Sequence, residues 1–153
     1  MFQIDNIPEI KISLSFDKKI KKSELYTIHT SHECSQVLRR IFNADTFDWV
    51  EEFILLCMNQ ANKIIGFCKI SKGGVTATVA DPRVILTTAL NCPGTTSIIL
   101  SHNHPSGNLK PSLQDEDMTK RIKEAAKLLD IRLLDHLILS DEGYYSFADN
   151  GQI

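Results

Sequence analysis

The chain has 153 residues, 42% of them apolar and 24% charged, which is enough for one well-filled core and unlike the composition of a disordered or low-complexity chain. Lys and Arg total 17 against 19 Asp and Glu, a formal net charge of −2, so no general electrostatic drive toward nucleic acid or an acidic membrane surface exists. No apolar run approaches the length of a membrane span, and the N-terminus lacks a signal-peptide pattern; both features predict a cytoplasmic protein.

In chain order, Ile10, Ile12 and Leu14 alternate with Lys11, Ser13 and Ser15, which predicts a half-buried strand. Residues 18–22 carry four lysines with no interleaved aromatic, a solvated loop rather than a phosphate-binding surface. Thr30 and Glu33 have capping-box spacing. Behind them Cys34, Val37, Leu38, Ile41 and Phe42 mark one face of a helix. Residues 53–58 are apolar on both faces and suit a central strand, 59–63 supply a turn, and 64–70 return. Lys72-Gly73-Gly74 breaks the chain, and 75–79 predict another strand. Asp81-Pro82 is a helix start, a capping side chain followed by proline at the first helical position. That helix runs to about Leu90, where Asn91 and Pro93-Gly94 stop it.

Residues 97–100 predict a short buried strand emptying into Ser101-His102-Asn103-His104-Pro105-Ser106-Gly107. Ser112 caps a long helix over 113–129, with Met118, Ile122, Ala125 and Leu129 as its buried stripe. A last long strand over 132–139 turns at Asp141-Glu142-Gly143 toward 144–147. Interleaved strands and helices predict an α/β class with a mixed sheet flanked by helices. No linker divides residues 1–153: the core spans about 51–147, with the N-terminal strand and helix of 8–43 packed on it. Cys34, Cys57, Cys68 and Cys92 include no CxxC pair and read as buried free thiols of a reducing compartment.

Chemistry concentrates between Ser97 and Asp115. His102 and His104 are separated by one residue at a strand end, so both imidazoles share a face and can reach one ion. Asp115, three residues past Ser112, lies in the first turn of the next helix, which brings its carboxylate back toward the strand end. Two imidazoles and a carboxylate with a fourth place open form the ligand set of a catalytic zinc site. A structural site would be closed by a fourth protein ligand, and the nearest cysteine, Cys92, precedes the strand. Asp135-His136 reads as a strand pair with a satisfied core histidine in preference to a group supporting the metal ligands. His29 and His32 read as structural or exposed.

The string His102-x-His104, seven residues, Ser112, two residues, Asp115 resembles the JAMM (JAB/MPN/Mov34) metalloenzyme motif. The surrounding Ser101 to Gly107 string, Pro111-Ser112 and Asp135-His136-Leu137-Ile138 look like its RadC branch, over about residues 51–147. The resemblance implies a cytidine-deaminase-like α/β fold, Zn2+ as cofactor, a zinc-activated water, and a protein or peptide substrate cut as by a peptidase or isopeptidase. It also implies that Ser112 helps stabilise the oxyanion, although the same hydroxyl can serve only as a helix cap. An upstream glutamate should act as general base. The residue pattern leaves Glu51 and Glu52 open; the RadC resemblance implies Glu51.

Two features depart from the RadC pattern. No helix-hairpin-helix region is recognisable in the fifty or so residues before Glu51, and Ala80-Asp81-Pro82-Arg83 stands where many RadC chains have His-Pro-Arg. The first argues against direct nucleic-acid binding, while a DNA-repair-associated accessory protein with a structural or vestigial zinc is the alternative reading. A nucleoside deaminase is rejected: it requires His-x-Glu and Pro-Cys-x-x-Cys, and this chain has His-x-His and only Cys92-Pro93.

Overall fold

The computed structural model describes residues 7–73 and 80–153. Its centre is the strand β1 (Glu52–Met58), buried at every position. Both faces of β1 are apolar because both are covered. Phe53, Leu55 and Cys57 pack in one cluster, while Ile54, Leu56 and Met58 pack in the other. A turn at Asn59 leads into β2 (Ile64–Lys72); the Asn59 side chain accepts the N–H groups of Ala61 and Lys63. On the other side of β1 lies β3 (Ser97–Asn103), also buried throughout, then β4 (Arg132–Leu139) and β5 (Tyr144–Ser146). The sheet order is β2-β1-β3-β4-β5; β3 and β4 run parallel and every other pair is antiparallel.

Among the described residues, three α-helices cover the sheet. Helix α1 (Ser31–Ile41) starts at Thr30, whose side chain accepts the Glu33 N–H, while the Glu33 carboxylate accepts from His29 N–H. Its Cys34 and Leu38, with Phe42 just beyond, pack against Ile54, Leu56 and Met58. On the opposite face lie α2 (Pro82–Asn91), capped by Asp81, and α3 (Leu113–Leu128), capped by Ser112. Ile85 and Ala89 of α2 and Ile122 and Ala126 of α3 pack there with Leu55 and Leu100. The fold is thus α/β with a mixed sheet between helices, as the sequence predicts.

Several expectations need correction. Residues 10–14 form no strand: they run as irregular chain with Ile10 88% and Ile12 72% exposed. Alternation shows that a segment could lie on a sheet, but a strand also needs a ladder partner, and among the described residues 10–14 have none. The chain meets the edge of β2 only later, where Thr27 bridges Lys63 and Ile28 N–H donates to Asn62. The strand expected over 75–79 lies outside the described residues. Strand β3 continues three residues past Leu100, because the polar side chains of His102 and Asn103 find partners inside the protein. The fully buried line of α3 is Thr119, Ile122 and Ala126; Met118 and Ala125 are half-buried, and Leu129 lies exposed just past its end.

All four cysteines are free; Cys68 is half-exposed rather than buried. Burial pushes the Cys34 and Cys57 thiols up to about 12, which leaves them protonated and inert. No helix among the described residues is long and apolar enough to cross a membrane.

Candidate metal centre

The register between β1 and β3 sets the site. Phe53 pairs with His102, so the residue two places before Phe53 lies opposite the residue two places after His102. Directly opposed residues share a face of the sheet, which puts Glu51 and His104 on the same side as His102 and Phe53. Helix α3 crosses this face and presents Asp115 from its first turn. Glu51, His102, His104, Ser112 and Asp115 line one cavity of about 680 Å³, together with Phe53, Met118 and, at its rim, Lys110 and Arg121.

Within it, His102 Nε2 and His104 Nε2 are 3.0 Å apart. His102 Nε2 lies 3.1 Å from Asp115 Oδ1, and His104 Nε2 lies 3.5 Å from Asp115 Oδ2. Ligand atoms at ~2.0–2.1 Å from a tetrahedral zinc are separated by ~3.3 Å, so this spacing fits the ion. The hydrogen bonds supply a second test. His104 Nδ1 is 2.6 Å from the carbonyl oxygen of Asn108, which can only accept, so that nitrogen carries a proton. In the neutral ring, His104 Nε2 therefore offers a lone pair. The loop reaches this position by a turn at Gly107, whose φ of +81° favours glycine.

Asp115 is 15% exposed, His104 16% and His102 only 1%. Burial raises the Asp115 carboxyl, but hydrogen bonds from both histidines, the charge on His102 and the Ser112 N–H outweigh it and hold it far below the usual carboxylate range. Burial likewise opposes charge on His104; the Asp115 carboxylate, the Asn108 carbonyl and the charge of Glu51 overcome it, and its pKa is raised. A positive charge is thus favoured where these three side chains meet, whether carried by a proton or by a metal ion.

Ser112 combines two properties that the sequence set in competition. Its Oγ accepts the Asp115 N–H at 3.1 Å, and its own N–H donates to Asp115 Oδ2 at 2.7 Å, a full capping box. The cap uses a lone pair of the hydroxyl and leaves its proton available to the cavity. Glu51 and Glu52 point to opposite faces. Glu52, 4% exposed, turns away from the cavity: its carboxylate lies 3.3 Å from Lys69 Nζ and accepts the Asn43 N–H.

Asn103 and Thr119 are not evident in the sequence pattern, and His136, read there as a satisfied core histidine, also contacts a ligand. Asn103, the middle residue of His-x-His, faces the other side of β3 and is fully buried. Its Oδ1 accepts the Glu52 N–H at 2.8 Å, and its Nδ2 donates to the carbonyls of Phe47 and Val50 at 2.7 and 2.9 Å. It thereby fixes the chain that carries Glu51. His136 is completely buried, with its Nε2 2.9 Å from His102 Nδ1, and Thr119 Oγ1 contacts its Nδ1. Burial, followed by the charge of His102, pushes the His136 pKa well down. Asp135 does not join His136 in supporting the ligands: it faces away and accepts from Ser146 Oγ and the N–H groups of His136 and Ala148. An asparagine inside a buried strand and a threonine one helical turn after Asp115 were the available signals.

A family model described as RadC-like JAB domain matches residues 28–152. A UPF0758 protein of Flavobacterium johnsoniae is 48% identical over 101 residues, covering 66% of this chain and 44% of its own length. The UPF0758 protein SSU98_1084 of Streptococcus suis is 36% identical over 145 residues, 95% of this chain and 58% of that protein. The UPF0758 protein YfjY of Escherichia coli is 41% identical over 101 residues, 66% of this chain and 62% of its own length. The chain thus spans about half the length of these relatives.

Proposed function

Since the chain belongs to the RadC-like JAB domain family, which is related to metallopeptidases, we propose that it is a zinc-dependent hydrolase acting on a peptide or isopeptide bond. The observation that carries this reading is the convergence of His102 Nε2, His104 Nε2 and the Asp115 carboxylate on one wall of a cavity that Glu51 and Ser112 also line.

His102, His104 and Asp115 would hold the ion. Bound there, zinc would supply Lewis acidity, enough to lower the pKa of a water toward ~7. Glu51 is the general base: it accepts the water's proton and returns it to the leaving amine. Ser112 donates its hydroxyl proton to the oxygen that becomes negative as the carbonyl is attacked, while Asp115 N–H keeps the hydroxyl oriented. Phe53, stacked parallel to His102 with centroids 5.8 Å apart, shields one side of that ring from water. Lys110 and Arg121 stand at the rim, Arg121 paired with Asp117 at 3.8 Å, so the entrance carries charges of both signs.

The test is metal content followed by proteolysis. Elemental analysis should find one zinc per chain, and a peptide and isopeptide library should be cleaved with zinc, spared after chelation and cleaved again on zinc return. A chain that takes up no zinc at neutral pH would sink the reading. Zinc uptake with salt-dependent DNA binding and no hydrolysis would favour an accessory role instead.

A further inference from the structure

His136 and Thr119 lie outside the proposed ligand set, and the role inferred for them rests on that set. Thr119 Oγ1 stands 2.6 Å from the carbonyl oxygen of Asp115 and 2.6 Å from His136 Nδ1. A hydroxyl has one proton to give. The carbonyl has none, so Thr119 donates to it and accepts from His136 Nδ1. His136 is 0% exposed, enclosed by Phe147 stacked at 4.9 Å and by Phe53 at 5.7 Å. Such surroundings favour the neutral ring, whose single proton is already placed on Nδ1. His136 Nε2 is then an acceptor, and the atom it faces, at 2.9 Å, is His102 Nδ1. His102 must donate there, so in its neutral ring, the form that can bind a metal, Nε2 carries no proton and its lone pair faces His104 and Asp115.

We propose that Thr119 and His136 are positioning residues that lock His102 in its Nδ1–H tautomer and so keep His102 Nε2 open as a ligand for a divalent cation. The relay begins and ends at the metal centre. Thr119 is bonded to the backbone of Asp115 on α3, and His136 to the side chain of His102 on β3, so the two ligands are held to one another from behind. With His136 fully enclosed, the ring itself must supply the acceptor. A partner behind a metal-bound histidine contributes ~10–100-fold in metal affinity.

The tautomer can be read without metal. Long-range 1H–15N correlation spectra of the zinc-free chain, taken at alkaline pH, should give His102 the Nδ1–H pattern; an Nε2–H pattern would overturn the proposal. Zinc affinity, from competition with a chelator, should fall ~10–100-fold in His136→Leu, which removes the acceptor. His136→Gln should recover most of that loss, because its amide oxygen can accept from His102 while its NH2 donates to Thr119. Thr119→Val removes only the hydroxyl, serves where His136→Leu does not fold, and should give His102 a mixture of tautomers with weaker zinc binding. Wild-type affinity in a folded His136→Leu, or in Thr119→Val, would refute the relay. A wild-type chain with the Nδ1–H tautomer that binds no zinc would support the tautomer lock and overturn the zinc-hydrolase reading.

Discussion

Ser112 offers a separation of stability from chemistry, because its oxygen and its proton point to different tasks. Replacing it by alanine removes the acceptor for Asp115 N–H, 3.1 Å away, and the donor into the cavity together. Loss of a serine N-cap costs ~1 kcal/mol, which lowers the melting temperature of a chain of this size by ~2–4 °C. The Ser112 backbone N–H still donates to Asp115 Oδ2, so the carboxylate keeps that anchor. A disturbance of ~1 kcal/mol at most can reach the ligand set, less than the ~1.4 kcal/mol that a tenfold change in zinc affinity requires. Turnover should respond on another scale: an oxyanion donor is worth ~100–1,000-fold, or ~2.7–4 kcal/mol. Ser112→Gly sharpens the contrast, since glycine at an N-cap costs only a few tenths of a kcal/mol. The assay is thermal melting, chelator competition and steady-state cleavage of a peptide selected from a library, on wild type, Ser112→Ala and Ser112→Gly. Ser112→Gly should melt near wild type, bind zinc within tenfold of it, and turn over ~100-fold or more slowly. Turnover within a few-fold of wild type in that variant would refute the donor role and leave Ser112 as a cap alone.

His104→Ala should lose zinc in elemental analysis; full retention would remove His104 from the ligand set. Glu51→Gln should keep zinc and abolish hydrolysis, whereas Glu52→Gln should leave turnover nearly unchanged and lower the melting temperature through its lost pairing with Lys69; the opposite pattern would move the base by one residue. Metal and proton compete for His104, whose pKa is raised above 6.5, so zinc affinity should climb as pH rises through that raised value; an affinity flat across this range would contradict the competition. In the zinc-free chain His104 stabilises fully below pH 6.5 and that contribution is lost on going above its raised value. Asp115 stabilises above pH 3.8 and its contribution is lost as pH falls below that toward its depressed value. Melting against pH should show both declines in wild type and much weaker ones in Asp115→Asn; identical profiles would rule out the Asp115 contacts as their cause.

How much the sequence conveyed depends on which interactions are local. Apolar runs report burial directly, so residues 53–58 read as a two-faced central strand, as β1 is. Caps are written within a few residues, so Thr30, Asp81 and Ser112 each marked a helix start. The His-x-His spacing likewise places two rings on one face without reference to the rest of the chain. What stayed hidden depends on distant partners. Thr119 is buried because a strand that begins thirteen positions later, β4, delivers His136 to its hydroxyl, so an apolar stripe drawn on the helix alone passes over it. Ile10, Ile12 and Leu14 carry the alternation of a strand, but pairing belongs to the neighbour as much as to the segment. Glu51 and Glu52 are equivalent in pattern; only the register of β1 against β3 distinguishes the face that meets His104 from the face that meets Asn43.

Asn103 ties the two sides of the sheet into one tolerance chain. The histidines on either side of it face the cavity, while its amide grips the segment 47–52 from behind. The distance between the two histidines and the base is therefore gauged from a single short strand, while Asp115 arrives separately on α3. One consequence is that damage to the centre can originate on the far face. Aspartate at 103 would set carboxylate oxygens against the Phe47 and Val50 carbonyls and so disturb the segment that carries Glu51. The middle letter of His-x-His, silent in the chemistry, thus acts as a spacer block for it.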